Sequence, residues 1–143
     1  MSKSNAFEND LLKLIFNGTP IANLADNAAS SPLTTLYLSL HTGDPGDGGD
    51  QTTNEISYTG YSRKAVARTG AGWVVTGNSV SPAANVEFRE MTDGAGGTAT
   101  HAAIGTAASG AGKILYSGAL TPNISVALGI TPRIRSTSTI TED

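Results

Sequence analysis

The chain has 143 residues and a formal net charge of −3, with 38% hydrophobic and 15% charged residues. This slightly acidic balance lacks the basic field that nucleic-acid binding requires, and the absence of cysteine excludes disulfides and thiolate metal sites. No apolar run is long enough to span a membrane, and the first residues lack a signal-peptide profile because acidic residues interrupt their apolar stretch.

The first predicted element is a helix over 6–16, with Asn5 as its N-cap and Glu8 as a capping-box partner. The glycine of "NGTP" ends this helix, and a short helical turn follows up to Leu24. Its apolar residues recur at helical spacing, and they are Phe7, Leu11, Leu14 and Ile15. Because this face would be partly exposed on a lone β domain, we expect it to contact the β domain or an adjacent subunit.

From Leu36 onward the sequence consists of short apolar stretches separated by turn residues. In "LYLSLH" leucines alternate with other residues, which predicts that Leu36, Leu38 and Leu40 lie on one face of a strand. The link "TGAG" is expected to join the second and third strands as a hairpin. Strands are predicted at 36–41, 62–68, 72–77, 85–90, 98–105, 113–120, 124–129 and 133–141.

This pattern predicts a mainly β fold, a single antiparallel β-sandwich of jelly-roll-like type with a short N-terminal helix. The strands do not alternate with helices, which argues against a parallel, doubly wound sheet. We expect one domain, 1–143, in which 1–24 is the N-terminal helical segment and 34–141 is the β-sandwich.

An acidic, glycine-rich loop at 43–51 follows the first predicted strand. Asp44, Asp47 and Asp50 recur there every three residues. Crowded carboxylates can hold Ca²⁺, but this spacing is not that of an EF-hand loop. Asp-Pro-Gly and Asp-Gly-Gly also form turns by themselves, so we expect these residues to set turns, with a bound cation as the alternative. No metal or other cofactor is expected.

Candidate catalytic groups do not form a recognised constellation in the sequence. His41 ends a strand and His101 lies within one, but no G-x-S-x-G elbow supplies a nucleophile. Glu87 and Glu90 are expected to face unlike sides of their strand, so they make a poor carboxylate pair. The glycine-rich links lack the G-K-[ST] of a phosphate-binding loop. We therefore predict a non-enzymatic protein without catalytic residues.

Two further groups of residues are candidates for contact with a partner. Tyr58 and Tyr61 straddle a transition from loop to strand, and aromatic side chains often anchor interfaces. Arg133 and Arg135 share one face of the strand-like tail "RIRSTSTITED" and could pair with carboxylates on a partner. With the apolar helix face, these residues form the predicted partner interface.

Four motifs together resemble a family of small virion proteins of tailed bacteriophages and prophages. They are the L-x-L-H-T-x-D-P-G turn, the T-x-E…Y-x-x-Y step, the G-W strand and the I-G-T-A-x-x-G-x-G segment, all between Leu36 and Pro132. The opening "NAFENDLLKLIF" is similar as well. Members are often labelled tail fibre proteins. The resemblance implies a structural component of the virion, made in the cytoplasm of the bacterial host.

Three roles are compatible with this resemblance. We favour a capsid decoration or cement protein on the capsid surface, because the sequence has no repeats or coiled-coil shaft of the kind that fibres show. Its partner would then be the major capsid protein of the same phage, and a homo-oligomer, a dimer or trimer, is expected. The alternatives are a tail fibre or tail-tip protein and a carbohydrate-binding module for host attachment.

Overall fold

The computed structural model describes residues 3–21, 25 and 32–142. Within these residues the chain forms helix α1 (Asn5–Leu12), a π-helical turn (Lys13–Asn17) and nine strands. The predicted helical turn up to Leu24 ends at residues 22–24, which lie outside the described residues. The strands are β1 Thr35–His41, β2 Lys64–Ala67, β3 Trp73–Thr76, β4 Ser79–Pro82, β5 Val86–Glu87, β6 Gly97–Gly105, β7 Ile114–Val126, β8 Arg133–Ile134 and β9 Ile140–Thr141.

The strands form three sheets, with the orders β2-β1-β6-β7, β3-β4-β9 and β5-β8. The pairings of β1 with β6, β6 with β7, β3 with β4 and β4 with β9 are antiparallel. The prediction of a mainly β fold with antiparallel sheets and one short N-terminal helix is therefore confirmed. The packing of the sheets as one sandwich, and a single domain, stay predictions. No helix of the described residues is long and apolar enough to cross a membrane.

The chain divides into two compact units. The first comprises Met1–Thr35, Val66–Val86 and Ile134–Asp143, and it contains α1, the π-helical turn and the sheet of β3, β4 and β9. The second comprises Leu36–Ala65 and Glu87–Arg133, and it contains nearly all of β1, β6 and β7.

The first unit is built on contacts between its helical segment and strands β3 and β4. Leu12 and Phe16 are fully buried, and the Phe16 ring meets the Trp73 ring edge to face at 4.8 Å between centroids. The helical segment ends at Gly18 in the left-handed conformation, as the sequence predicted. The Arg68 guanidinium donates to the carbonyls of Leu14 and Ile15, and thereby satisfies acceptors that the helix end leaves open.

The helix starts one residue earlier than predicted. Ser4, not Asn5, is the N-cap, because Ser4 has extended backbone angles and its Oγ accepts from the Phe7 N–H at 3.4 Å. The Glu8 position is therefore one residue beyond that of a capping-box partner. The α-helical hydrogen bonds also stop at Leu12, and the predicted residues up to Phe16 continue in the π-helical turn.

In the second unit β1 is an inner strand of the sheet. Leu36, Leu38 and Leu40 are buried, which confirms the predicted alternation. Ser39 and His41 are buried as well, although they lie on the opposite face of the strand. Both faces of β1 are therefore covered, and the second face consists of polar side chains that require partners.

Three predicted strand connections were wrong. The "TGAG" link is not a hairpin, since β2 and β3 belong to different sheets; the hairpin joins β3 to the unpredicted strand β4 at Gly77, which has a φ of 61°. The tail is not one strand, because a turn from Arg135 to Ser138 separates β8 from β9. The two strands predicted at 113–120 and 124–129 are one strand, β7, with an irregular register around Pro122, which has no N–H to donate to the ladder.

A candidate interaction surface held by a buried polar network

Two loops of the second unit are held together by buried polar side chains. One is the acidic loop, residues 42–55, which follows β1; the other is the small-residue loop, residues 106–113, which joins β6 to β7. The Gln51 N–H donates to the Ala111 carbonyl at 2.8 Å, so the main chains of the two loops are in direct contact. We call the exposed residues of these loops the loop surface; they include Asp44, Asp47, Thr52, Asn54, Ser109 and Ala111.

The acidic loop is ordered by its own side chains. Asp44 Oδ1 accepts from the Gly46 N–H at 2.9 Å, and Asp50 Oδ1 accepts from the Thr52 N–H at 2.8 Å and the Thr52 hydroxyl at 2.6 Å. The hydrogen bonds from Thr52 hold the pKa of Asp50 below its usual range. The aspartates at these two positions therefore set turns, as the sequence predicted. In residues 3–21, 25 and 32–142, no three acidic or histidine side chains are grouped as metal ligands.

Gln51 connects the two loops from inside. Its side chain is fully buried, and its Oε1 accepts from the Ala107 N–H at 2.9 Å. Two glycines make room for it: a Cβ at Gly105 would lie 2.2 Å from Gln51 Cδ, and one at Gly112 would lie 2.1 Å from Gln51 Oε1. Real Cβ atoms essentially never come this close, so a larger residue at either position would force the buried Gln51 side chain to move.

The ion pair of Arg63 with Glu55 is a second connection between the same two loops. Arg63 Nε and Nη2 donate to the two carboxylate oxygens of Glu55 at 2.7 Å and 2.8 Å, the bidentate geometry that arginine favours. Arg63 Nη1 also donates to the Ala107 carbonyl at 3.0 Å, and Nη2 to the Gly110 carbonyl at 2.8 Å. The hydrogen bonds to Glu55 raise the pKa of Arg63. One guanidinium therefore bridges the acidic loop and the small-residue loop.

Tyr61 extends the ion pair to the sheet. Its hydroxyl donates to Glu55 Oε1 at 2.9 Å and accepts from the Leu40 N–H of β1 at 3.1 Å. Burial raises the pKa of Tyr61, which keeps the hydroxyl protonated for this donation. The Tyr58 side chain is buried beside it, and its hydroxyl donates to the Arg89 carbonyl at 2.9 Å. Both tyrosines make contacts within the unit, and their role at a partner interface stays a prediction.

His41 connects β1 to the acidic loop. Its Nδ1 lies 2.8 Å from the Thr53 carbonyl and its Nε2 lies 2.8 Å from the Ser39 hydroxyl. A carbonyl can only accept, so Nδ1 carries the proton, and in the neutral ring Nε2 accepts from Ser39. Burial lowers the pKa of His41, which favours this neutral form.

The 2.8 Å between Ser39 Oγ and His41 Nε2 is the distance expected between a catalytic serine and its general base, but the surroundings of the two side chains differ from those of a catalytic site. Both side chains are fully buried, and the atom that orients the imidazole is a main-chain carbonyl instead of a carboxylate. Ser39 Oγ is not exposed to a substrate in this arrangement. The pair instead joins β1 to the acidic loop, through the bond between His41 and the Thr53 carbonyl. Sequence reasoning missed this pair, although the spacing of two in a strand places both side chains on one face.

The remaining candidate residues lie apart from this network. His101 faces His41 across the β1–β6 pairing, and its Nδ1 contacts the Thr100 hydroxyl at 2.9 Å. The Arg133 side chain is 48% exposed and lies 3.5 Å from Glu87, and Arg135 is exposed.

On the helical segment, Phe7 is 38% exposed, and Leu11, Leu14 and Ile15 are half-buried. The most deeply buried residues of this segment are instead Leu12 and Phe16, and Glu8 is also buried. The interface role predicted for the helix face and for the two arginines stays a prediction.

Three of the four motifs found in the sequence meet in the buried network. The first contributes His41, and the second contributes Glu55 and Tyr61. The glycine-rich motif contributes the Gly105 position against Gln51 and the carbonyls that accept from Arg63. These motifs therefore encode the contacts that hold the loop surface.

The model of the family described as "Podophage GP4 fiber I protein gp80" matches residues 2–141. No curated protein matches the chain.

Proposed function

The chain belongs to the podophage GP4 fiber I protein gp80 family, and from this premise we propose that it is a non-enzymatic structural protein of the phage fibre. The family identifies it as a structural component of a virion. The match over 2–141 is the observation that carries the proposal, since it covers both compact units.

The buried network supports a structural role. Its ionisable and hydroxyl groups are all engaged inside the unit: Arg63 with Glu55, Tyr61 with Glu55, and His41 with Ser39. Burying an ion pair costs desolvation energy that offsets much of its attraction, and we infer that this pair serves to select one arrangement of the chain. Here that arrangement is a pair of loops in a fixed conformation.

We assign the contact with a neighbouring virion protein to the loop surface. Loops that present a surface for binding are commonly supported by a rigid scaffold. The backbone of these two loops is already ordered by Gln51 and Arg63, so little conformational entropy remains to be lost on binding. The exposed aspartates give this surface a negative charge, which fits a partner with basic or hydrogen-bond-donating groups.

Capsid decoration, with the major capsid protein as partner, is the second candidate. The observation that favours it is the absence of a shaft, since the described residues form strands of at most thirteen residues in two compact units, with no α-helix longer than eight residues. A compact module can also serve at a joint or tip of a fibre, where another chain forms the shaft. The family description names a fibre, which supports our proposal of a position on the tail.

Immunogold labelling of intact virions tests the placement. Antibodies raised against the purified chain are expected to label the tail fibres and leave the capsid surface unlabelled. Particles that lack this gene product serve as the control for antibody specificity. Regular labelling over the capsid surface would refute the fibre placement and support capsid decoration.

A further inference from the structure

A turn that follows β7 displays apolar side chains to solvent. Leu128 is 71% exposed, the largest exposed fraction among the large apolar side chains of the described residues, and Ile130 is 43% exposed. Single apolar side chains on a surface are common, whereas these two lie on one turn and present a joint apolar surface. We propose that residues 127–130, which we call the apolar turn, are a second contact of this chain in the virion. In this contact Leu128 and Ile130 enter an apolar pocket of a neighbouring protein that is not a copy of this chain.

The local structure of the apolar turn does not explain its leucine. The Ile130 N–H donates to the Ala127 carbonyl at 2.9 Å, and Gly129 at the third position has a φ of 79°, which is the geometry of a type II turn. Leu128 occupies the second position of this turn, where proline is common and no large apolar side chain is required. An exposed leucine at this position therefore points to a role outside the turn.

The backbone of the apolar turn is held by the core of its unit. The Gly129 N–H donates to the Met91 carbonyl at 2.9 Å, and the Met91 N–H donates to the Ile130 carbonyl at 3.0 Å. Met91 is only 1% exposed, so these bonds attach the turn to a buried residue. A Cβ built at Gly129 would meet no atom within 4 Å, so the turn is open on that side. A turn that is already ordered loses little conformational entropy when a partner binds it.

The residues beside the apolar turn favour a protein as the partner. Arg89, Glu90 and Asp93 belong to the segment around Met91 that bonds to the turn, and all three are exposed. An apolar centre with a charged rim is the usual composition of a protein interface. A lipid surface fits less well, because anionic headgroups attract basic clusters and repel carboxylates such as those of Glu90 and Asp93.

The size of the apolar turn argues against a second copy of this chain as the partner. A stable dimer buries about 800 Å² on each partner, with about 20–30 residues a side, whereas this turn has large apolar side chains only at Leu128 and Ile130. The loop surface of another copy is polar and carries aspartates, so it does not complement an apolar turn. A concave pocket of a different protein instead encloses a protruding side chain from several directions, as it does for the anchor residues of interfaces.

The apolar turn and the loop surface lie at opposite ends of the β6–β7 pair. The small-residue loop joins the two strands beyond the pair Gly105–Ile114, whereas the pair Gly97–Val126 at the other end directly precedes the apolar turn. The nine residues of β6 span roughly 25 Å. The two surfaces are therefore far enough apart to contact two different neighbours, as expected of a protein that connects parts of a virion.

Thiol labelling of intact virions tests this contact. The chain has no cysteine, so Leu128→Cys introduces a single thiol at the apolar turn. We expect a maleimide to label it at least about tenfold more slowly in virions than in the free chain, because an enclosed thiol reacts only when the contact opens. The matched control is Ser62→Cys, at an exposed position of the same unit outside both surfaces, which should label at similar rates in the two states.

A photo-cross-linker attached to the same cysteine tests which protein covers the turn. The expected product joins this chain to a different virion protein, identified by mass spectrometry of the cross-linked peptides. A product of twice the 14.5 kDa mass of the chain, composed of two copies, would overturn the proposed partner. The same reagent on Ser62→Cys is the control for non-specific cross-linking.

The proposal rests on the chain being a virion component, and an immunoblot of purified virions tests that premise separately. A virion that contains the chain, but in which Leu128→Cys and Ser62→Cys have the same ratio of virion to free-chain labelling, would overturn the contact while leaving the virion role intact. Far-UV circular dichroism confirms that each variant is folded, and Thr131→Cys, at the exposed residue after the turn, replaces a Leu128 variant that does not enter virions. The outcome does not depend on whether the chain lies in the fibre or on the capsid.

Discussion

At the scale of single residues, Arg63 carries more of the loop arrangement than any other side chain. It makes two bonds to Glu55 and one each to the carbonyls of Ala107 and Gly110. Its side chain is only 3% exposed, so removing it leaves a carboxylate and two carbonyls short of partners.

We predict that Arg63→Ala lowers the free energy of unfolding by about 3–5 kcal/mol, as expected when one partner of a buried ion pair is lost. The matched control is Arg133→Ala, which removes the 3.5 Å ion pair with Glu87 at exposed side chains. Exposed pairs contribute less than about 1 kcal/mol, so this control should unfold close to the wild type. Urea denaturation measures both; equal losses would show that the buried pair has no special role.

His41 gives the protein a pH dependence with a defined sign. The unfolded chain takes up a proton near the ordinary pKa of 6.5, whereas burial lowers the pKa of His41 in the folded protein. The bond to the Thr53 carbonyl and the charge of Glu55 oppose this shift, while Arg63 and His101 reinforce it. Between the two pKa values the unfolded state binds more protons, so stability is complete above about pH 6.5 and falls as the pH drops below it.

We predict a decline of up to about 1.4 kcal/mol per pH unit from this one group below pH 6.5. Unfolding free energies measured by urea denaturation between pH 7.5 and pH 5 should show it. His41→Gln removes the titrating group, so its stability should vary less over this range even if its absolute stability is lower. A variant with the same slope as the wild type would show that His41 is not the group responsible.

At the scale of elements, the small-residue loop depends on where its glycines stand. Gly112 has a φ of 42°, and a Cβ there would lie 2.1 Å from Gln51 Oε1. Gly48, in the acidic loop, has open space around it and no positive φ. A side chain at Gly112 would be strained and would clash, whereas a side chain at Gly48 would meet neither problem, so the two positions can be compared by the same substitution.

Gly112→Ala is expected to destabilise the protein by about 2–3 kcal/mol, because it combines backbone strain with overpacking against a buried side chain. Gly48→Ala should be neutral or slightly stabilising, since it only restricts the unfolded chain. Thermal unfolding followed by circular dichroism compares the two. Equal melting temperatures for both variants would contradict the packing of Gln51 between the loops.

The sequence predicted those elements whose pattern is local. The alternation in β1 identified its leucines, and the Asp-Gly spacing identified the turns of the acidic loop. The burial of His41 was not predictable from β1 alone, because it depends on a loop that covers the second face of the strand. The pairing of β2 with β1, and the bonds of Arg63 to the carbonyls of Ala107 and Gly110, likewise depend on contacts between segments that are distant in sequence.

At the scale of the whole molecule, the proposed position in the fibre and the proposed role of the loop surface make one joint prediction, that the loop surface contacts a neighbouring fibre protein. The family describes a fibre protein, and the network around Gln51 and Arg63 holds two loops together. A structural protein benefits from such a surface because many copies bind with the same geometry, and symmetry multiplies a modest contact.

Cryo-electron microscopy of intact virions tests this account most directly. We predict that density for the chain lies in the tail fibres, with loops 42–55 and 106–113 in contact with a neighbouring protein and unchanged in backbone conformation. Virions that carry Arg63→Ala should show reduced occupancy at the same position. Density for the chain on the capsid lattice, or fibre density in which both loops face solvent, would contradict the account.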